Sequence, residues 1–205
     1  MPKITFYNLP EDKKEKLINA VKKEFSRVPL YDASISNIVR SARIPRGSFY
    51  QYFEDKEDAF FFILNGIVIN NNNNFTSLLR KHNGDLFETM IDFFQYIIQE
   101  EENVQFLKNA FLNMTYKIEN SFANIFRNRE NNDNFKEISS LINTSNLNIS
   151  NDQDLFHIMQ IIFTVTIRNV VEKFAKELSK QEALGNYIIE MNLLKNGLAN
   201  KNNSY

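Results

Sequence analysis

SISNIVRSARIPRGSFYQYFEDKED, residues Ser34 to Asp58, is the stretch from which the rest of the chain can be read. Ser34 opens a short helix in which Ile35, Ile38 and Val39 are apolar, and Ser41-Ala42 lies near its end. Pro45 breaks that helix and, with its fixed φ, starts another over Arg46 to Tyr52. Asp55 is a good N-cap for a further helix running into Ala59 to Ile69. Two short helices joined by a tight turn make a helix-turn-helix. Ile38, Val39, Ala42, Ile44, Phe49 and Phe53 can form the small core that sets the angle between them, with Ala42 small where they approach. The second helix begins Arg46-Gly47-Ser48. A recognition helix presents its N-terminal residues to the major groove, where the positive end of its dipole also favours phosphate.

Upstream, Pro10 followed by Glu11 and Asp12 marks a helix start. Leu17, Ile18, Val21 and Phe25 then share one face, and Val28-Pro29 stops the helix. Residues 1–56 carry 11 Lys and Arg against 7 Asp and Glu, and residues 57–205 carry 13 against 18. A basic head on an acidic body suits a polyanionic partner, although so modest an excess can arise by chance.

The 205 residues suffice for one or two domains with a sizeable core. The absence of Cys excludes a disulfide scaffold, a thiolate nucleophile and a Cys-based zinc site. His82 and His157 leave little for a His-based metal centre, so no metal and no cofactor are expected. No glycine-rich phosphate loop or paired acid motif supports an enzyme. The 30 Asn reflect compositional skew, and single Asn residues carry little functional weight. Met1 to Leu9 lacks the apolar core of a signal peptide. The most apolar stretch, Leu155 to Val171, is shorter than the roughly 20 residues of a membrane span. A cytoplasmic protein with no membrane partner is expected.

The body also reads as helices. Leu86, Met90, Phe93, Phe94 and Ile97 repeat at helical spacing within Asp85 to Gln99. Val104 to Leu112 and Tyr116 to Phe126 continue the theme. Asn143 to Asn151 reads as a loop. Ser150 with Gln153, and Ser179 with Glu182, fit capping boxes. They predict helices over about Asn151 to Leu178 and Lys180 to Asn196, with Gly197 as a stop. The run Asn70 to Asn74 is poor helix material and predicts a frayed end. Residues 201–205 read as a disordered tail.

At Ala42-Arg43-Ile44, at Pro45 to Phe53 and at Glu54 to Glu57 the chain resembles the tetracycline-repressor family of bacterial regulators. The family pattern is a helix ending Ala-Gly-Val, then Ser-Lys-Gly-Thr-Leu-Tyr-x-Tyr/His-Phe, then x-x-Lys-Glu. Two positions depart from it. Arg43 stands where the family has Gly, a place that often needs a left-handed backbone costing Arg about 1 kcal/mol. Pro45 replaces the Ser cap and pushes Ile44 out of the helical region.

The resemblance implies an all-α chain: a three-helix DNA-binding domain over 1–56 joined to a helical ligand-binding and dimerisation domain over 57–200. Arg46 is a candidate for guanine O6/N7 or phosphate, and Gln51 for adenine. Ser48, Tyr50 and Tyr52 carry over as groove and phosphate contacts, and Lys56 as a phosphate contact. Ser34, Ser36 and Asn37 are candidate phosphate contacts at the start of the first motif helix, with capping an alternative role for Ser34. In the body the resemblance implies an effector cavity and a dimer formed by the last two long helices. Met90, Phe93, Tyr96, Phe111, Met114, Tyr116 and Met159 could line an apolar cavity, and His157 could hold an anionic group. Such residues are more often plain core, since a pocket is only a small part of any interior. The expected function is a homodimeric repressor on an inverted-repeat operator in double-stranded DNA, released by an unidentified small molecule. The alternative is a helical interaction protein that has lost operator binding.

Overall fold

A computed structural model describes residues 1–99, 103–127 and 133–197. Among the described residues the regular structure is helical throughout: α1 (Ile4–Tyr7), α2 (Glu11–Arg27), α3 (Ile35–Ala42), α4 (Arg46–Tyr52), α5 (Lys56–Lys81), α6 (Leu86–Gln99), α7 (Val104–Leu112), α8 (Tyr116–Arg127), α9 (Asp133–Leu141), α10 (Asp152–Ala175) and α11 (Lys180–Asn196). The expected bounds of α2, α3, α4, α6, α7 and α11 agree with these. The short α1 and α9 were not anticipated, and the expected tail at 201–205 lies outside the described residues.

The chain forms two compact units, residues 1–71 with 101–121, and residues 72–100 with 122–205. The first unit takes in residues beyond the helix-turn-helix segment. Part of the reason is aromatic. Phe60 of α5 stacks on Phe106 of α7 at 5.0 Å between ring centroids, and Phe25 of α2 meets Phe60 edge-on at 5.1 Å. The Asn109 side-chain amide of α7 also donates to the carbonyls of Phe25 and Ser26 at 2.8 and 3.0 Å, closing the C-terminal end of α2. These partners hold α7 against the head, with Asn109 reaching carbonyls 83 and 84 residues away in sequence.

In the second unit, Tyr187 of α11 stacks on Phe94 of α6 at 4.2 Å. Its hydroxyl shares a 2.7 Å hydrogen bond with Thr166 of α10, which satisfies the one polar atom of a buried ring. Burial pushes that phenol above its ordinary pKa. Gly84 turns the chain between α5 and α6 with φ +80°, and a Cβ there would lie 2.4 Å from the Leu141 carbonyl oxygen. Only glycine fits that approach.

Three local expectations need correction. The Asn run does not fray α5, which continues through it to Lys81. Asn71 occupies a buried place on a stripe with Ile67, Val68, Phe75 and Leu79, so packing of the helix on both sides of the run overrides the low propensity of Asn. The cap of α10 is Asn151 rather than Ser150. The Asn151 side chain accepts from the Gln153 and Asp154 amides, while the Ser150 amide donates to the Asp154 carboxylate at 2.7 Å. Finally, the apolar part of the penultimate helix is longer than the 17 residues read from the sequence. Gln153–Ala175 is long and apolar enough to cross a membrane by length and composition. At the last helix the Ser179 and Glu182 capping box forms, and Gly197 ends it with φ +83°.

Candidate DNA-binding surface

The turn between α3 and α4 is built on Arg43, whose backbone lies in the left-handed region at φ 55°, ψ 46°. The Ile44 amide closes back onto the Val39 carbonyl at 3.0 Å, and the Arg43 amide onto Arg40 at 3.3 Å. This is the closure that a left-handed residue makes at a helix end. Pro45 follows at φ −60°, ψ 145° as the N-cap of α4, supplying backbone direction without a capping side chain. Behind the turn, Ile38, Ala42, Phe49 and Phe53 are buried, while Val39 and Ile44 are half-buried.

Buried residues leave one face of the two helices exposed, and three of the expected contacts meet there. Arg46 donates from Nη1 to the Ser36 hydroxyl at 2.7 Å and from Nη2 to the Tyr50 hydroxyl at 3.4 Å. Tyr50 is 40% exposed, so it is a surface phenol and not a core aromatic. Gln51 is exposed, and Ser48 and Tyr52 are half-exposed on the same short helix. With Gln51, Ser48 and Tyr52, this face presents a guanidinium, four hydroxyls and an amide. These are donors and acceptors of the kind that meet base edges and phosphate oxygens.

Three other candidates already have partners. Lys56 donates to the carbonyl oxygens of Tyr31 and Ala33 at 2.5 and 3.1 Å, bridging the start of α5 to the loop before α3. Asn37 donates its amide to Glu24 at 3.1 Å and accepts from Arg40 at 2.6 Å. The Ser34 side chain makes no cap, and its backbone N–H donates to Glu24 at 2.8 Å.

Glu24 is the residue that sequence reasoning missed. Its carboxylate is 5% exposed and also accepts from Arg27 at 2.8 and 3.0 Å. The Arg27 hydrogen bonds, with those from Ser34 and Asn37, hold it down at about 2 although burial acts in the opposite sense. It thereby ties the end of α2 to the start of α3. An acidic residue on the otherwise apolar stripe Leu17, Ala20, Val21, Phe25 was the available signal.

The residues expected at an effector cavity divide between the two units. Phe111, Met114 and Tyr116 belong to the first compact unit, whereas Met90, Phe93, Tyr96, His157 and Met159 belong to the second. Tyr116 and His157 are exposed, and Met90, Phe93, Phe111 and Met159 are buried as core. The second unit instead carries a polar groove of about 290 Å³ lined by Asn72, Asn73, Thr76, Ser77, Arg80 and Glu137, with Ile138. Arg80 and Glu137 pair across it at 3.0 Å. The side-chain oxygen of Asn72 is buried without a hydrogen-bond partner among the described residues. No group of three or more His, Asp or Glu suited to a metal occurs among the described residues.

Comparison with known proteins identifies two segments of the chain. Residues 17–61 match the family model described as bacterial regulatory proteins, tetR family, and residues 85–198 match the tetracyclin repressor-like C-terminal domain. Over 58 residues the chain is 38% identical to the HTH-type transcriptional regulator HbdR of Aromatoleum sp. (strain CIB). That segment is 28% of this chain and spans only 25% of the relative. Among solved structures, a protein of Syntrophomonas wolfei assigned to the TetR family of transcriptional regulators aligns with a TM-score of 0.62 at 18% identity, covering 92% of this chain and 97% of its own. A tetR-family transcriptional regulator from Streptomyces coelicolor aligns with a TM-score of 0.60 at 14% identity, covering 91% and 81%. At these identities the structural likeness concerns the fold.

Proposed function

Because this chain belongs to the tetracycline-repressor family of bacterial transcriptional regulators, we propose that it is a homodimeric repressor that reads an inverted-repeat operator through two copies of α4 and leaves it when a small effector binds. The observation that carries this reading is the exposed Ser36, Arg46 and Tyr50 cluster at the start of α4. The three groups stand open to solvent on one face of the motif, where base edges and phosphate oxygens can reach them. The intact turn at Arg43 and Pro45 further supports operator binding over the interaction-protein alternative.

Dimerisation is supported by apolar side chains left in the open on the last two helices. Ile161 of α10, and Ile189 and Leu193 of α11, are each more than half exposed. A second copy that covers them also accounts for the apolar length of α10 without a membrane. For the effector, the polar groove beside α5 offers a seat within the second unit. A ligand there carries hydrogen-bonding groups that answer Asn72, Thr76 and Arg80. The ligand releases DNA only so far as it prefers the non-binding shape.

The test is a gel shift with DNA flanking the protein's own gene. The wild type retards a specific fragment, and Arg46→Ala loses that preference. Equal retardation of all fragments by both proteins would contradict the reading.

A further inference from the structure

A helix leaves its last carbonyls without intrahelical partners, and in a helix of seven residues this is a large share of the backbone. In α4 every one of them is answered. The Phe49 carbonyl accepts from the Phe53 amide at 2.9 Å. The three that follow are taken by the N-terminal segment, outside the helix-turn-helix. The Tyr50 carbonyl accepts from the Lys3 side chain at 2.8 Å, the Gln51 carbonyl from the Thr5 hydroxyl, and the Tyr52 carbonyl from the Lys3 backbone N–H at 2.8 Å. The Lys3 ammonium also sits at the end of α4 where a positive charge is favoured by the helix dipole. Phe6, 1% exposed, fixes the segment by packing on Phe53 and Phe62 at 5.3 and 5.0 Å between ring centroids.

So short a helix has little stability of its own. We propose that Lys3 and Thr5 are positioning residues for operator recognition: they clamp the C-terminal end of α4 and so hold Arg46, Tyr50 and Gln51 at the angle that discriminates operator from random DNA. The segment then acts on specificity without touching a base. This rests on the operator-binding reading and adds to it a device outside the motif. The Lys3 backbone bond survives any side-chain change there, so side-chain variants loosen the clamp without removing it.

The experiment compares wild type, the double variant Lys3→Met with Thr5→Val, and the conservative double variant Lys3→Arg with Thr5→Ser. Amide hydrogen exchange in the free protein is the first readout and needs no DNA. In Lys3→Met with Thr5→Val, exchange at the amides of Tyr50 to Phe53 should quicken about tenfold, with α6 unchanged. The second readout is the ratio of affinities for a duplex selected from a random pool by the wild type and for random DNA. That ratio should fall about tenfold with an unchanged salt slope, and the conservative pair should restore both readouts. Unchanged exchange in α4 would overturn the clamp. Faster exchange with an unchanged affinity ratio would overturn its role in recognition. A salt slope reduced by about one unit per lost contact would instead make Lys3 a phosphate ligand. Should the wild type select no sequence, the operator reading itself fails, while the exchange result still decides the clamp.

Discussion

Glu24 stands seven residues after Leu17 on a stripe that also holds Ala20, Val21 and Phe25, all buried. With its carboxyl held at about 2 rather than 4.5, it stabilises the folded head fully above pH 4.5, and that contribution disappears as the pH falls towards 2. The shift corresponds to roughly 3 kcal/mol at neutral pH. Glu24→Gln should therefore lower stability by about 2 kcal/mol at pH 7, since the amide keeps an acceptor but loses the Arg27 charge. Denaturant melts should show the difference from wild type shrinking between pH 4.5 and 2. An equal difference at both ends of that range would contradict the linkage. Arg43 gives an opposite case. Its left-handed backbone costs a side chain about 1 kcal/mol, so Arg43→Gly should stabilise the protein by about 0.5–1 kcal/mol in the same melts. The strain at Arg43 was legible because the resemblance marks a glycine position. The bonds of Glu24 were not, because nothing in a linear pattern says that Ser34 and Asn37 fold back onto α2.

At the scale of the elements, α3 and α4 were legible because Pro45, the apolar spacing and the short intervals each point to the same two helices. The path of α5 through Asn70 to Asn74 was not, since local propensity argues against it and only the burial of Asn71 and Phe75 explains it. The cap at Asn151 shows the finer limit: two neighbouring residues can each cap, and side-chain geometry chooses between them. For recognition, Arg46 and Lys56 should differ in kind. Arg46→Ala should cost about 1–3 kcal/mol on the operator and relax preference at one base position. Lys56→Met should weaken specific and random DNA alike and reduce the salt slope by about one. It should also lower the melting temperature, because the Tyr31 and Ala33 carbonyls lose their partner. Titrations on both DNAs at several salt concentrations, beside thermal melts, separate the two. Identical behaviour of the two variants would move base reading to Ser48, Gln51 or Tyr52.

For the whole molecule, the paired helices at the end of the chain were legible from their caps and apolar content, but their outward faces were not. Periodicity gives α10 an apolar face at Ile162 and Val165 that suits a dimer interface or an intramolecular core alike, and Ile162, 2% exposed, belongs to the core of its own chain. The exposed Ile161 and Leu193 are the side chains a partner would cover. Ile161→Lys with Leu193→Lys should give a folded monomer in sedimentation at micromolar concentration, whereas Ile162→Lys should unfold the chain. A wild-type monomer would refute the dimer. Two copies of α4 on one face of DNA sit about 34–36 Å apart, one helical turn, or a multiple of it. Selection of duplexes from a random pool, followed by sequencing of the bound fraction, therefore tests the central claim most directly. The account predicts enrichment of an inverted repeat with half-sites at that spacing, lost with Arg46→Ala. A wild-type pool that stays random through successive rounds would contradict it.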